Sequence, residues 1–293
     1  MPTFHPNMYG ITRLRVLAQY GLMHGYHVID VHNHVGALVG TGLGTDENVD
    51  DALTARANVL ASRGVDQAVV IASHDYLRPD GIVDNRRVND QIAACRGRRP
   101  GLFPAAVGIV EPLNGERGIA EIDRCKQELG LAGISFHTRL QGVSLDSAWV
   151  RRYLQRMGEV GLVPFLHSIG ESSAEALWKI DVLAGDFPDL PMIVLDAFST
   201  FEQSLFLPHV AERRHNLVFD TALTHGVGFV LKAISHCGAD RVLYGSDLYS
   251  TGSGVPALTD VLADLVASPL TTSEKAAVLG GNAIRILGLG GTE

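Results

Sequence analysis

Two histidines two residues apart, His32 and His34, close the apolar run VIDVHNHVG. Side chains at i and i+2 of a strand share one face, so both imidazoles can reach one ion. His167 ends the run LVPFLHS and Asp247 ends VLYGSD. Three neutral imidazoles and a carboxylate are the donor set of a divalent cation such as zinc. Each residue also has a plainer reading: a single buried histidine that hydrogen-bonds to its neighbours, or an aspartate that caps the next helix.

These residues sit where short β-branched runs stop. Eight such runs can be counted: 27–31, 65–72, 102–110, 132–136, 162–166, 192–195, 217–219 and 241–244. Longer amphipathic stretches separate them, with Asp146 as a candidate N-cap and Gly64, Gly130 and Gly161 as candidate C-caps. Strand–helix alternation of this kind builds a parallel sheet, either closed as a (β/α)8 TIM barrel or open and doubly wound. The first strand runs into histidines rather than G-x-G-x-x-G, which argues against a dinucleotide-binding sheet. Residues 1–26 are expected to form a short N-terminal helical extension, with Ile11, Leu14, Leu17 and Met23 near one stripe that covers the barrel or a partner subunit in a homodimer.

The 293 residues carry no linker-like or low-complexity tract, so a single domain over 1–293 is expected. A net charge of −8 argues against a nucleic-acid footprint, which needs clustered Lys and Arg, and fits a small-molecule substrate better. The one basic cluster, Arg96, Arg98 and Arg99, fits a helix C-terminus. Cys95, Cys125 and Cys237 form no C-x-x-C pair, which favours a reducing, cytoplasmic setting. No run approaches the roughly 18 apolar residues of a membrane helix.

VIDVHNHVG, FLHS, YGSD and the terminal LGGNAIRILGL together resemble the amidohydrolase superfamily, in its amidohydrolase-related branch. GVDQAVVIAS, Asn89 and Asp90, Glu111-Pro112, NLVFDT and GADRVLYGSD extend the resemblance over nearly the whole chain. The branch includes proteins of the aminocarboxymuconate semialdehyde decarboxylase and pyrone dicarboxylate lactonase types. The resemblance implies the barrel and a metal site of His32, His34, His167 and Asp247. It also implies hydrolysis of an ester, lactone or amide by water activated on the metal, with Asp247 as general base. Non-oxidative decarboxylation is the alternative that the same resemblance offers.

Two departures stand out. Binuclear relatives place a bridging carbamylated lysine on the fourth strand, where this chain has Ser135, so one metal is expected. Zinc is the first choice, with manganese or iron open. The sixth strand, which in the family ends in histidine, ends here in Asp196. Asp196 then acts as a proton shuttle, as an extra ligand, or as the mark of a catalytically silent barrel that only binds metal. His137 shares a strand face with Ser135 and joins Asp196 and Asp247 among the expected catalytic groups, its plainer reading being a histidine bonded to nearby backbone. Arg139 is expected to grip a substrate carboxylate, and His74, Tyr76, His225 and Tyr249, all just past strand ends, are expected at the substrate.

Overall fold

The computed structural model of the chain describes residues 25–35, 49–74, 79–248 and 261–290. Eight strands alternate with helices: β1 (Ile29–Val35), α1 (Val49–Ser62), β2 (Gln67–Ala72), α2 (Ile82–Arg98), β3 (Ala106–Ile109), α3 (Glu116–Gln127), β4 (Gly133–Phe136), α4 (Ala148–Val160), β5 (Val163–His167), α5 (Leu177–Asp186), β6 (Met192–Leu195), α6 (Phe201–Arg213), β7 (Leu217–Asp220), α7 (Val227–Cys237) and β8 (Val242–Leu243). All neighbouring pairs are parallel, in the order β1 to β8. The sheet closes where β8 returns to β1: the Val31 amide donates to the Tyr244 carbonyl (3.0 Å), the His34 amide to the Leu248 carbonyl (3.0 Å) and the Leu248 amide to the His32 carbonyl (3.2 Å), about the Asn33–Leu248 bridge. The expected (β/α)8 barrel is therefore present. Among the described residues no helix is long and apolar enough to cross a membrane.

Why these segments take these forms is clearest in α4. Its buried residues Val150, Tyr153, Leu154 and Met157 recur at helical spacing and pack on the barrel wall. Ser147 caps its N-terminus by accepting from the Val150 amide, so the cap falls one residue beyond the expected Asp146. Gly161, at φ 71°, ends it in the left-handed conformation, as expected. The basic cluster also lies as expected, with Arg96 and Arg98 in the last turn of α2.

Along each strand, alternate residues separate two cores. Val69, Ile71, Val107, Phe165, Ile193, Leu195, Val218 and Leu243 fill the barrel interior, while Val70, Ile134, Phe136, Leu166, Val194 and Phe219 face the helices. The alternation sends Ser135, His167 and Asp220 inward at the C-terminal ends of β4, β5 and β7. On β1 the parity changes. Ile29 and Val31 pack inside, and a register shift between Asp30 and Asn33 then turns His32 and His34 inward as well. A bulge re-aims side chains in this way beside functional sites.

The third strand is shorter than expected, Ala106–Ile109 rather than 102–110, because Leu102 and Phe103 instead bond back to Arg99 in the turn after α2. Of the N-terminal extension, residues 1–24 lie outside the described residues, as do Tyr76 and Tyr249.

Candidate active site

At the C-terminal end of the barrel the ring nitrogens of His32, His34 and His167 all lie within 4.8 Å of one another, and all three side chains are buried. His34 Nε2 is 3.0 Å from His32 Nε2 and 3.2 Å from His167 Nε2. Asp247 Oδ1 approaches the same point, 3.4 Å from His32 Nε2 and 3.7 Å from His34 Nε2. The structure thus brings together the four residues that the sequence singles out, from β1, β5 and the turn after β8.

The outer nitrogens of two rings are already committed. His32 Nδ1 donates to Asp220 Oδ2 (2.7 Å), and His167 Nδ1 donates to the Phe136 carbonyl (3.0 Å). In the neutral rings this leaves lone pairs on both Nε2 atoms, facing a third nitrogen that carries at most one proton. A cation at the point of convergence resolves that crowding, and carboxylate or carbonyl partners behind the rings are the usual support of metal-binding histidines. The local field favours positive charge at His32, a charge that a cation bound at Nε2 would supply in place of the proton. Burial alone would push the His32 imidazolium down, but Asp247, Asp196 and Asp220 outweigh it and push its pKa up to about 10. Burial holds the His34 and His167 imidazoles well below the usual range, so both are neutral and able to donate a lone pair. Three imidazole nitrogens with one carboxylate oxygen fit a single divalent ion. Ser135 offers no second bridging group; its hydroxyl lies 3.1 Å from His74 Nε2 and 3.4 Å from His167 Nδ1.

Asp196 Oδ1 lies 3.9 Å from His32 Nδ1 and, among the described residues, has no hydrogen-bond partner. Burial raises its carboxyl well above the usual carboxylate range, opposed in part by the attraction of His32. Its backbone amide donates to Asp220 Oδ1 (2.9 Å), so a single aspartate orients both His32 and Asp196. Asp196 and Asp247 share one further trait, a positive φ of 57° and 54°. The left-handed region costs a non-glycine residue roughly 1–2 kcal/mol, and such cost concentrates at functional sites.

His137 stacks flat on His167, with centroids 4.2 Å apart and planes at 4°, and its Nδ1 donates to Glu175 Oε1 (2.6 Å). His74 meets both rings edge-on at 5.5–5.6 Å. Arg139 stands at the edge of this cluster, its guanidinium 3.6 Å from Glu175 Oε2 and its side chain 42% exposed. His225 does not join: it is exposed, stacks on Phe201 at 4.4 Å and bonds to the Ser199 carbonyl (3.2 Å).

Three residues were missing from the sequence-based set: Asp220, Glu175 and Arg56. Asp220 ends the run NLVFDT and carries the same end-of-strand signal as the chosen residues. Arg56 of α1 is buried and donates to the carbonyls of His34 (2.7 Å) and Leu248 (3.3 Å) and to Asn33 Oδ1. Beside it, Asp30 accepts from the His32 and Ser246 amides (both 3.0 Å) and the Ser246 hydroxyl (2.6 Å). Burial pushes the Asp30 carboxyl up to about 6 and the Arg56 guanidinium down to about 10. Together they pin the β1–β8 seam that presents His32, His34 and Asp247.

Residues 29–289 match the family model described as Amidohydrolase. The chain belongs to the amidohydrolase family. Comparison with curated protein sequences finds no match. Among solved structures, the amidohydrolase chain is similar to 5-carboxyvanillate decarboxylase from Novosphingobium aromaticivorans with bound manganese (TM-score 0.69, 16% identity, 90% of this chain and 97% of that one). It is also similar to a dihydroxybenzoic acid decarboxylase from Polaromonas sp. with bound manganese and 2-nitroresorcinol (0.66, 15%, 90% and 97%). A third likeness is to 5-carboxyvanillate decarboxylase from Sphingomonas paucimobilis (0.65, 15%, 90% and 99%). At these identities the likeness concerns the fold.

Proposed function

We propose that this amidohydrolase is a divalent-metal-dependent decarboxylase of a small carboxylate-bearing molecule. The observation that carries the reading is the convergence of His32, His34, His167 and Asp247 at the catalytic end of a barrel whose fold is shared, over nine-tenths of the chain, with decarboxylases. Those four residues would hold the ion. When bound, a divalent ion there supplies Lewis-acid polarisation of a substrate oxygen. Two of the similar decarboxylases hold manganese, which supports manganese beside zinc as a candidate.

The chain's own residues supply the rest. Arg139 presents a half-exposed guanidinium that can orient a carboxylate in its fork. Loss of carbon dioxide breaks a C–C bond and leaves its electron pair on carbon, and a proton must replace the departed group. Asp196 would deliver that proton, a role supported by its buried Oδ1, which has no hydrogen-bond partner among the described residues. Solvent at the mouth then reprotonates Asp196. His74 and His137 line the same side and contact the substrate.

Hydrolysis of an ester, lactone or amide is the second reading. The position of Asp247 Oδ1 near two histidine nitrogens favours it, because a carboxylate there can take a proton from water. The test is carbon dioxide release from a panel of aromatic and olefinic carboxylates by manganese- and zinc-loaded protein, run beside a panel of esters, lactones and amides. Released carbon dioxide supports the proposal. Hydrolysis without it transfers the assignment to the second reading, and bound metal with no turnover on either panel favours a silent barrel.

A further inference from the structure

We infer that Glu175 is a positioning residue that fixes the His137 ring in one tautomer, so that His137 meets the substrate as a hydrogen-bond acceptor. The inference rests on the reading of His137 as a substrate-contacting group. Glu175 lies in the loop after β5, outside the four convergent residues, and is fully buried. Its Oε1 accepts from His137 Nδ1 (2.6 Å) and from the Arg139 amide (3.1 Å), and its Oε2 lies 3.6 Å from Arg139 Nε. The backbone around it is held in turn. The Glu175 amide donates to the Ser172 carbonyl (3.1 Å), the Glu175 carbonyl accepts from Ser168 Oγ (3.2 Å), and the Ala174 carbonyl accepts from the Leu145 amide (3.0 Å).

Burying a carboxylate is costly, and nothing in the packing of a loop requires one there. What the charge accomplishes is visible in its partners. An imidazole clamped flat on His167 can still turn by half a rotation, which exchanges nitrogen for carbon on each edge. The Glu175 carboxylate selects the orientation with Nδ1 outward and places the proton on that nitrogen. In the neutral ring Nε2 then carries the lone pair, and among the described residues no hydrogen bond occupies it. The group that docks there must therefore donate, as a hydroxyl or protonated carboxyl does, while the anionic end of the molecule turns to Arg139, the other residue that Glu175 holds.

Substitutions separate this from simple packing. In Glu175→Gln the amide oxygen is locked toward His137, because rotating the amide would set its NH2 against the Arg139 amide; the Nδ1–H tautomer persists. In Glu175→Ala nothing selects it.

The experiment is long-range 1H–15N NMR of histidine-labelled, zinc-loaded full-length protein at alkaline pH, with His137 assigned by its loss in His137→Gln. Expected are an Nδ1–H His137 in the wild type and in Glu175→Gln, and a mixed or Nε2–H ring in Glu175→Ala, with zinc content unchanged in all three. An Nε2–H ring in the wild type, or an unaltered ring in Glu175→Ala, overturns the proposal. If Glu175→Ala does not fold, the wild-type and Glu175→Gln spectra decide alone. No substrate is needed, so failure of the decarboxylase reading leaves this result standing, and the converse also holds.

Discussion

His32 on the first strand and Asp220 on the seventh are joined across the barrel by a 2.7 Å hydrogen bond, buried completely at both ends. Gly245 makes room for it: a Cβ there would lie 2.7 Å from Asp220 Oδ2 and 3.0 Å from His32 Cβ. The glycine of YGSD thus serves close approach rather than an unusual backbone angle. Asp220→Ala should lower divalent-metal affinity by about 10–100-fold, the usual effect of removing a carboxylate behind a metal-binding imidazole. Gly245→Ala should do the same by displacing the pair. Chelator competition measures both, and wild-type affinity in Asp220→Ala would show that the bond serves packing alone.

One divalent ion per chain is the expected stoichiometry, because the convergent nitrogens and Asp247 define one point and Ser135, the residue beside His167, carries no carboxylate or imidazole toward a second. Elemental analysis after loading with zinc or manganese decides it; two tightly bound ions, or none, would refute the single site. A ligand that binds only the folded chain stabilises it, by about 2.7 kcal/mol at a free concentration one hundred times its dissociation constant. Adding the metal to stripped protein should therefore raise Tm in a concentration-dependent manner.

What the sequence revealed of this site follows from how local the signals are. His32, His34, His167 and Asp247 each end a strand-like run, and in a barrel those ends meet regardless of how far apart they lie in the chain. Asp220 has that same signal, although NLVFDT reads equally well as a plain strand. Glu175 and Arg56 had no such signal. Glu175 sits in the loop GESSAEA, and its partner His137 is 38 residues away; Arg56 lies on a helix whose contact with Leu248 spans 192 residues. The left-handed conformations of Asp196 and Asp247 are likewise set by tertiary structure. Strand boundaries erred where a turn competed for the backbone, as at Leu102 and Phe103.

The β1–β8 seam makes a stability prediction. Sheet pairing there is sparse, and Arg56 supplies hydrogen bonds to His34, Asn33 and Leu248. Arg56→Met keeps much of the side-chain volume but removes the guanidinium bonds to the His34 carbonyl and Asn33 Oδ1, while the Leu248 carbonyl keeps only the His34 amide. A loss of about 3 kcal/mol or more is expected, at roughly 1–3 kcal/mol for each buried group left unsatisfied. Urea unfolding measures it. Metal affinity should fall as well, since the seam positions His34 and Asp247. A variant unchanged in both respects would mean that backbone pairing alone holds the barrel closed.

Asp196 separates the remaining chemical readings. Its Oδ1 lies 3.9 Å from His32 Nδ1 and is not one of the atoms that converge with the three Nε2 nitrogens, which favours proton exchange over a place in the donor set. Asp196→Asn keeps the size of the side chain and abolishes proton transfer. Turnover should then fall by about 10^2 to 10^4-fold, the usual scale of a general acid or base, with metal content and Tm near wild type. A ligand would behave differently, because its removal would lower metal content and turnover together. The left-handed backbone supplies a control: asparagine tolerates positive φ nearly as well as aspartate, so the substitution adds little strain, whereas a β-branched residue would confound the result. If Asp196→Asn keeps both full turnover and full metal, the proton comes from another group, and His137 is the next residue to test.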